Sequence, residues 1–252
     1  MATLKEASKA QDTFSVSIII PCRNEAGTIA QIVDRMPQMG SFTELIFIEG
    51  HSQDGTLETL HRVATARSDK RIRILQQTGI GKRNATVEGC DAAQGDIIMI
   101  FDADMTVDPE ALPLFYTAIA EGWGRLINGT RLRLPMERKA MQWLNWIANH
   151  GFAWIFSWIL KQKLTDTLCG TKVFWRTDYE TMIQNSTFWK TDPFGDFALL
   201  LGIAQLGGTI YEVPVSYRAR RYGRTQIRRF YHGVILLGLT LRAWRDYRIK
   251  NP

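Results

Sequence analysis

Residues 95–110 read GDIIMIFDADMTVDPE, an apolar run that ends in two aspartates two positions apart, Asp102 and Asp104. Carboxylates this close repel each other and lose hydration on burial, so the pair needs a counter-charge. Alternate residues of an extended chain face one side, so the two can present their oxygens together. A hard divalent cation, Mg²⁺ or Mn²⁺, suits such oxygens and keeps open positions for phosphate. It would stabilise the negative charge that grows as a nucleotide diphosphate leaves. Alone, an Asp-x-Asp spacing equally describes a solvated loop before a helix that starts at Asp108-Pro109-Glu110. The run GIGK at 79–82 lacks the G-x-x-x-x-G-K-[ST] spacing of a phosphate loop, which excludes that class.

Positioning these groups requires a scaffold, and the N-terminal half supplies one. SVSIII (15–20), ended by Pro21, ELIFI (44–48), IRIL (72–75) and DIIMIF (96–101) are strand-like runs. Between them, helical patterns run from about Glu25 to Met36, from 54 to 66, and from about Lys82 to Ala93. Strand–helix alternation at this spacing predicts a mostly parallel sheet flanked by helices. Ligands of such sheets bind beyond the carboxyl ends of the strands. The segments Pro21–Glu25, Glu49–His51 and Asp102–Asp104 each follow a predicted strand and should meet at one edge. That convergence says more than any one of them.

The chain has 252 residues, 45% of them hydrophobic, enough for one large domain with a substantial core. Its three cysteines, Cys22, Cys90 and Cys169, have no disulfide or zinc spacing, which favours a reducing compartment. Residues 1–13 lack an apolar core, so no signal peptide is expected, and no apolar run is long enough to span a bilayer. The formal charge of +6 is concentrated near the C-terminus, where residues 216–250 carry ten Lys or Arg against one acid, Asp246. An anionic partner should meet that part.

Read together, SIIIPCRNEAGTI, IFIEGHSQDGT, GKRNATVEGCDAAQGDIIMIFDADM, NGTR, DTLCGTK and YRARRYGRTQI resemble family 2 glycosyltransferases in type and order. The resemblance covers about residues 15–230 and implies an inverting enzyme of GT-A (Rossmann-like) fold. Within the family, the chain looks like the polyprenyl-phosphate sugar transferases of the dolichol-phosphate mannose synthase type. The donor would be a UDP- or GDP-linked hexose and the acceptor an undecaprenyl or dolichyl phosphate. By the same resemblance, Pro21, Arg23 and Glu25 hold base and ribose, Glu49 contacts the nucleoside, and Lys82 lies near the nucleotide. Asp102 and Asp104 match the family's metal-binding pair, with Asp104 the direct ligand. Thr106 stands where dolichol-type relatives carry a further ligand, Gln, so water replaces it.

On the acceptor side, Asp196 in PFGDFALLL resembles the second acid of the family's Glu-Asp pair, with Gly195 in place of the Glu. Relatives with hydroxyl acceptors use it as general base, whereas a phosphate acceptor is already ionised and needs none. Asp196 would then orient the acceptor or a basic side chain; its plainer reading is an acid favoured at a helix N-terminus. Asp166 and Lys172 align with the acceptor-side loop, and Cys169 among them reads as packing. Arg131 and Arg220 match family arginines that read phosphate, which suits their planar forks. Gly223 and Thr225 belong to the Arg220 loop. Gln226 there, and Asn145 and Asn149 elsewhere, replace residues that make the relatives' phosphate cage more cationic.

MQWLNWIANHGFAWIFSWIL (141–160) carries four of the eight tryptophans, interrupted by Gln142, Asn145, Asn149 and His150. With Ala153 and Ser157, the Gln and Asn residues form a narrow stripe at helical spacing. The pattern predicts an interfacial helix over 138–162, its Asn face turned to the catalytic domain and its tryptophans to lipid. A core or dimer helix is the plainer alternative. A basic amphipathic helix over 231–252 would add a second contact with anionic lipid. The chain divides into a tail (1–14), the transferase domain (15–230) and this helix.

The reading is thus a metal-dependent hexosyltransferase, peripheral at the cytoplasmic face of a membrane, with a homo-oligomer left open. One alternative is a family 2 enzyme with a hydroxyl acceptor and Asp196 as base. Another is a non-catalytic nucleotide-sugar or lipid binder, against which the intact Asp pair argues. A nucleic-acid partner fits poorly with the acidic site and the apolar centre of the basic tail.

Overall fold

The computed structural model describes residues 13–137, 140–185, 192–223 and 229–248. Among these residues, seven strands form one sheet: β1 (Val16–Cys22), β2 (Thr43–Glu49), β3 (Arg71–Gln76), β4 (Ile97–Ile100), β5 (Leu126–Thr130), β6 (Lys172–Trp175) and β7 (Ile210–Pro214). Their order is β3-β2-β1-β4-β6-β5-β7. β6 runs antiparallel to both neighbours, while the other neighbouring pairs are parallel. Reversal at β6 leaves β5 and β7 running the same way as β1 to β4. All six therefore end at one edge, and β6 begins there.

Helices α1 (Ile29–Arg35), α2 (Thr56–Ala66) and α4 (Leu112–Ala120) cover one face. The other face carries α3 (Lys82–Ala92), α5 (Trp143–Leu160), α6 (Arg176–Asn185), α7 (Asp196–Gln205) and α8 (Arg229–Arg248). Successive residues of β1 alternate between two cores, Ile18 and Ile20 to one side and Ile19 to the other. Because both faces are covered, the strands read as continuous apolar runs. Each fully buried isoleucine contributes roughly 1.5–3 kcal/mol. The α/β sheet expected from the sequence is the one observed.

Three local expectations need correction. β1 does not stop before Pro21 but runs to Cys22. The Ile19 carbonyl accepts from Phe101 on the β4 side, and two residues on Pro21 faces that same side, where β4 has ended. No ladder partner is lost by its missing N–H. The first helix begins at Ile29 rather than near Glu25: Asn24 is left-handed (φ 56°), and Thr28 turns back onto the Glu25 carbonyl. Glu25 is thereby left in a loop at the sheet edge. The Asp pair is not in extended chain either, since β4 ends at Ile100 and Asp102–Met105 forms a turn with Met105 left-handed (φ 53°).

Candidate active site

The common edge gathers a cluster of ion pairs. Lys82, the first residue of α3, meets Asp102 at 2.5 Å. Arg220 bridges Glu25 at 2.5 Å and Asp104 at 2.8 Å. Arg131, just past β5, meets Asp166 at 2.7 Å, and Lys172, the first residue of β6, meets Asp196 at 2.8 Å. The counter-charges that the Asp pair needs are thus Lys82 for one aspartate and Arg220 for the other. One precedes the pair in the sequence and the other follows it by more than a hundred residues.

Exposure divides the cluster into two layers. The side chains of Asp102, Lys82, Arg220 and Asp104 are 34%, 26%, 27% and 17% exposed, so they face the opening. Asp166 and Lys172 have no exposed side-chain surface, and Asp196 keeps 10%. Asp166 accepts from the Arg131 Nε and Nη2, the Arg131 and Leu168 backbone amides, and the Asn149 Nδ2 at 2.6 Å. Lys172 also donates to the Cys169 carbonyl. Asp166, Lys172 and Asn149, expected as acceptor-binding groups, are therefore spent on protein partners beneath the opening. Asn145 is exposed on the first turn of α5. Thr225 lies outside the described residues, as does Gln226.

Several charge states follow from these pairs. Burial works against the charge of Lys82, but Asp102, Asp196 and Asp104 outweigh it and hold the ammonium above its usual range. Burial likewise opposes the Asp102 carboxylate, and Lys82 overrules it, leaving the carboxyl below its ordinary value. For Asp166, burial loses to Arg131 and to the hydrogen bonds of Arg131 and Asn149, and the carboxyl falls to about 2. Glu25 is the exception. Burial pushes it up to about 7 despite Arg220, and its Oε2 is buried without a hydrogen-bond partner. That orphaned oxygen is a built-in acceptor for a ligand group at the loop after β1. Burial also pushes the Cys169 thiol up to about 11, in keeping with a packing role.

The remaining donor-side residues stand around the same loops. Glu49 is buried at the end of β2, and its Oε1 accepts from the Ser52 amide at 2.6 Å. Pro21 is half-buried and Arg23 exposed. Tyr222 donates to Asp54 at 3.1 Å and packs over Gly27, tying the Arg220 loop to the loop after β1. A side chain at Gly170 would collide with the Asp102 carboxylate and the Lys82 ammonium, so only glycine leaves that pair in place.

Asp192, which sequence reading passed over, caps α7 by accepting from the Phe197 amide at 2.8 Å and the Ala198 amide at 2.9 Å. Gly195, left-handed at φ 86°, then turns the chain so that Asp196 reaches Lys172 rather than serving as the cap. The Asp-Pro step at 192–193 was the available turn signal. Tyr217 was also missed; the Arg131 guanidinium lies 5.0 Å over its ring.

Asp102 and Asp104 offer hard oxygen donors at the opening. Among the described residues, no group of three or more His, Cys, Asp or Glu gathers as a complete cation site. A divalent ion held by this pair would take its other ligands from phosphate and water, the usual habit of Mg²⁺ at nucleotide sites. The donor set fits such an ion.

The sequence matches the family model of glycosyl transferase family 2 over residues 17–192, more than half of the chain. The chain belongs to glycosyltransferase family 2. Among curated members, it is 25% identical over 230 residues to the undecaprenyl-phosphate 4-deoxy-4-formamido-L-arabinose transferase of Proteus mirabilis. That match covers 88% of this chain and 64% of the relative, so this family 2 member spans less than two thirds of the relative's length. The enzyme of the same name from Aeromonas hydrophila is 29% identical over 116 residues, 44% of this chain and 36% of its own.

Among solved structures, the glucosyl-3-phosphoglycerate synthase of Mycobacterium tuberculosis in complex with UDP superposes with a TM-score of 0.68 at 18% identity. It covers 97% of this chain and 85% of the synthase. The complex of that synthase with Mg²⁺ and UDP gives a TM-score of 0.69 at 18% identity, covering 96% and 84%. At such identity the likeness shows the fold, which is the GT-A fold of the glycosyltransferases.

Proposed function

We propose that this family 2 member is an inverting, metal-dependent transferase that moves a hexose from a UDP- or GDP-linked donor to a polyprenyl phosphate, working peripherally at the cytoplasmic face of a membrane. The observation that carries the reading is the layering of the cluster. The exposed carboxylates, Asp102 and Asp104, suit a cation at the donor diphosphate, and the acid left for general-base work, Asp196, is held behind them by Lys172. An acceptor that is already ionised needs no such base. The names of the Proteus and Aeromonas relatives support an undecaprenyl phosphate in that role.

In the reaction, an acceptor phosphate oxygen forms its bond to the anomeric carbon while the bond to the nucleoside diphosphate breaks, and the electron pair departs with the diphosphate. Attack from the opposite face inverts the anomeric centre. Asp102 and Asp104 would hold Mg²⁺ or Mn²⁺, which supplies charge stabilisation to the leaving group. Lys82 and Arg220, at the opening beside them, would compensate phosphate charge directly. Arg131 offers the part of its fork that Asp166 leaves open. Glu25 would take a donor hydroxyl on its orphaned oxygen.

Two helices support the membrane assignment. α5 exposes Trp143, Trp146, Trp154 and Trp158 by 68%, 44%, 74% and 50%, values that no core side chain has. α8 packs beside it, exposing Val234, Leu237, Leu241 and Trp244 near Arg242 and Arg245. Between them lies an apolar groove of about 310 Å³ lined by Trp154, Trp158, Leu237, Leu241 and Trp244. Among the described residues, no helix is long and apolar enough to cross a membrane. The inward stripe is shorter than expected: Asn149 and Ala153 are buried, while Gln142 and Asn145 are exposed. An exposed Trp and apolar face with flanking arginines suits the interface of an anionic bilayer.

The acceptor is tested by ranking two variants with one donor. Arg220→Ala should lower transfer to a polyprenyl phosphate by about ten- to a hundredfold, through a lost charge-assisted contact. Asp196→Asn should cost less and leave the acid limb of the pH profile in place. A hydroxyl acceptor predicts the reverse ranking, with Asp196 the more damaging site. Intact lipid-phosphate transfer by Arg220→Ala would remove that loop from the acceptor site.

A further inference from the structure

We infer that Asn149 is a positioning residue through which the lipid-facing helix α5 sets the phosphate-reading Arg131, so that a lipid surface activates transfer. The inference rests on the polyprenyl-phosphate reading above. Asn149 is 1% exposed, whereas Trp154 and Trp158 on the same helix are 74% and 50% exposed. Both ends of its amide are engaged: Nδ2 donates to the Asp166 Oδ1 at 2.6 Å, and Oδ1 accepts from the Thr167 amide at 3.2 Å. Asp166 in turn grips Arg131 through Nε at 2.7 Å and Nη2 at 2.9 Å. One 18-residue helix thus carries the apolar face at its outside and the last link to the site at its inside.

The coupling has a physical cause. A carboxylate without exposed surface is tolerable only while its donors stay in place. Asp166 is such a group, and three elements supply its donors: α5 through Asn149, the end of β5 through Arg131, and its own loop through Leu168. A shift of α5 changes the Asn149 contact, and the Arg131 fork must readjust to keep Asp166 satisfied. Arg131 keeps 12% of its side chain exposed, with its guanidinium over the Tyr217 ring. Docking of the tryptophans on lipid therefore bears on the angle at which the fork meets an acceptor phosphate. A bonding role inside the protein, rather than contact with the acceptor, is what the burial of Asn149 describes.

The test uses a water-soluble isoprenyl phosphate of two or three units, with and without vesicles of phosphatidylcholine and phosphatidylglycerol that contain no acceptor. For the wild type, vesicles should lower the acceptor KM about tenfold, the scale of one hydrogen bond to a charged group, and leave the donor KM unmoved. Trp154→Gln with Trp158→Gln should lose this stimulation. Asn149→Ala should float with vesicles as the wild type does, yet show no stimulation and a raised acceptor KM at an unchanged donor KM. A wild type indifferent to vesicles overturns the coupling while the acceptor reading stands, and so does an Asn149→Ala protein stimulated like the wild type. If Asn149→Ala does not fold, the wild type and the tryptophan variant decide. Absence of transfer to short or long isoprenyl phosphates, with donor hydrolysis retained, rejects the acceptor reading and the coupling with it.

Discussion

Asp104→Asn is expected to lower transfer by about 10²–10³-fold, roughly 2.7–4 kcal/mol of barrier, the scale of one lost group that stabilises developing charge. Asparagine keeps the size of the side chain and an acceptor oxygen for the Thr106 amide and hydroxyl, which Asp104 Oδ1 holds at 3.1 and 2.8 Å. The turn should therefore fold normally. What disappears is a negative charge that a cation at the leaving diphosphate would require and that Arg220 now faces at 2.8 Å. The variant should also need more Mg²⁺ or Mn²⁺ for half-maximal rate. Initial rates across a metal titration at saturating donor measure both effects, and full wild-type activity in excess chelator would rule out the metal.

Asp166→Asn is expected to lower stability by about 3–5 kcal/mol, the cost of leaving the buried Arg131 charge without its partner. For a chain of this size that is a fall on the order of 10 °C in Tm. The pH dependence has a definite sign. Asp166 is depressed in the folded protein to about 2 from 3.8, so its contribution of roughly 2 kcal/mol is present above about pH 4. It is lost as the pH falls toward 2. The wild type should show this acid limb in urea unfolding, and Asp166→Asn should show it reduced. A variant within about 0.5 kcal/mol of the wild type at pH 7 would contradict the account of the pair.

The first four strands and the convergence of their following loops were legible, because runs such as SIIIP and LIFIE are apolar on both faces only where a sheet is covered on both sides. The Asp pair announced a need for counter-charge, but Lys82 and Arg220 are 20 and 116 positions from the aspartates they meet, and spacing carries no sign of such contacts. β6 was missed because KVFW is only four residues long and runs antiparallel to both neighbours, so it breaks the strand–helix–parallel-strand rhythm of the first half. Asn149 was placed on the acceptor side by its alignment with the relatives' phosphate cage, and the polar stripe told which residues share a helix side, not how deep they lie. The depth came from Asp166, seventeen residues on. Asp196 was read as orienting the acceptor or a basic side chain; it meets Lys172 from the first position of α7, while Asp192 accepts from the Phe197 and Ala198 amides.

The central claim, hexose transfer to a polyprenyl phosphate, is measured most directly by following labelled sugar into lipid. Purified protein with Mg²⁺ or Mn²⁺, vesicles containing a polyprenyl phosphate, and a panel of UDP- and GDP-linked labelled hexoses should yield organic-extractable label from at least one donor. That label should be acid-labile, carry an inverted anomeric centre, and be absent when the acceptor phosphate is replaced by the free alcohol. Donor consumption with all label left in water, or equal labelling of the free alcohol, would contradict the account.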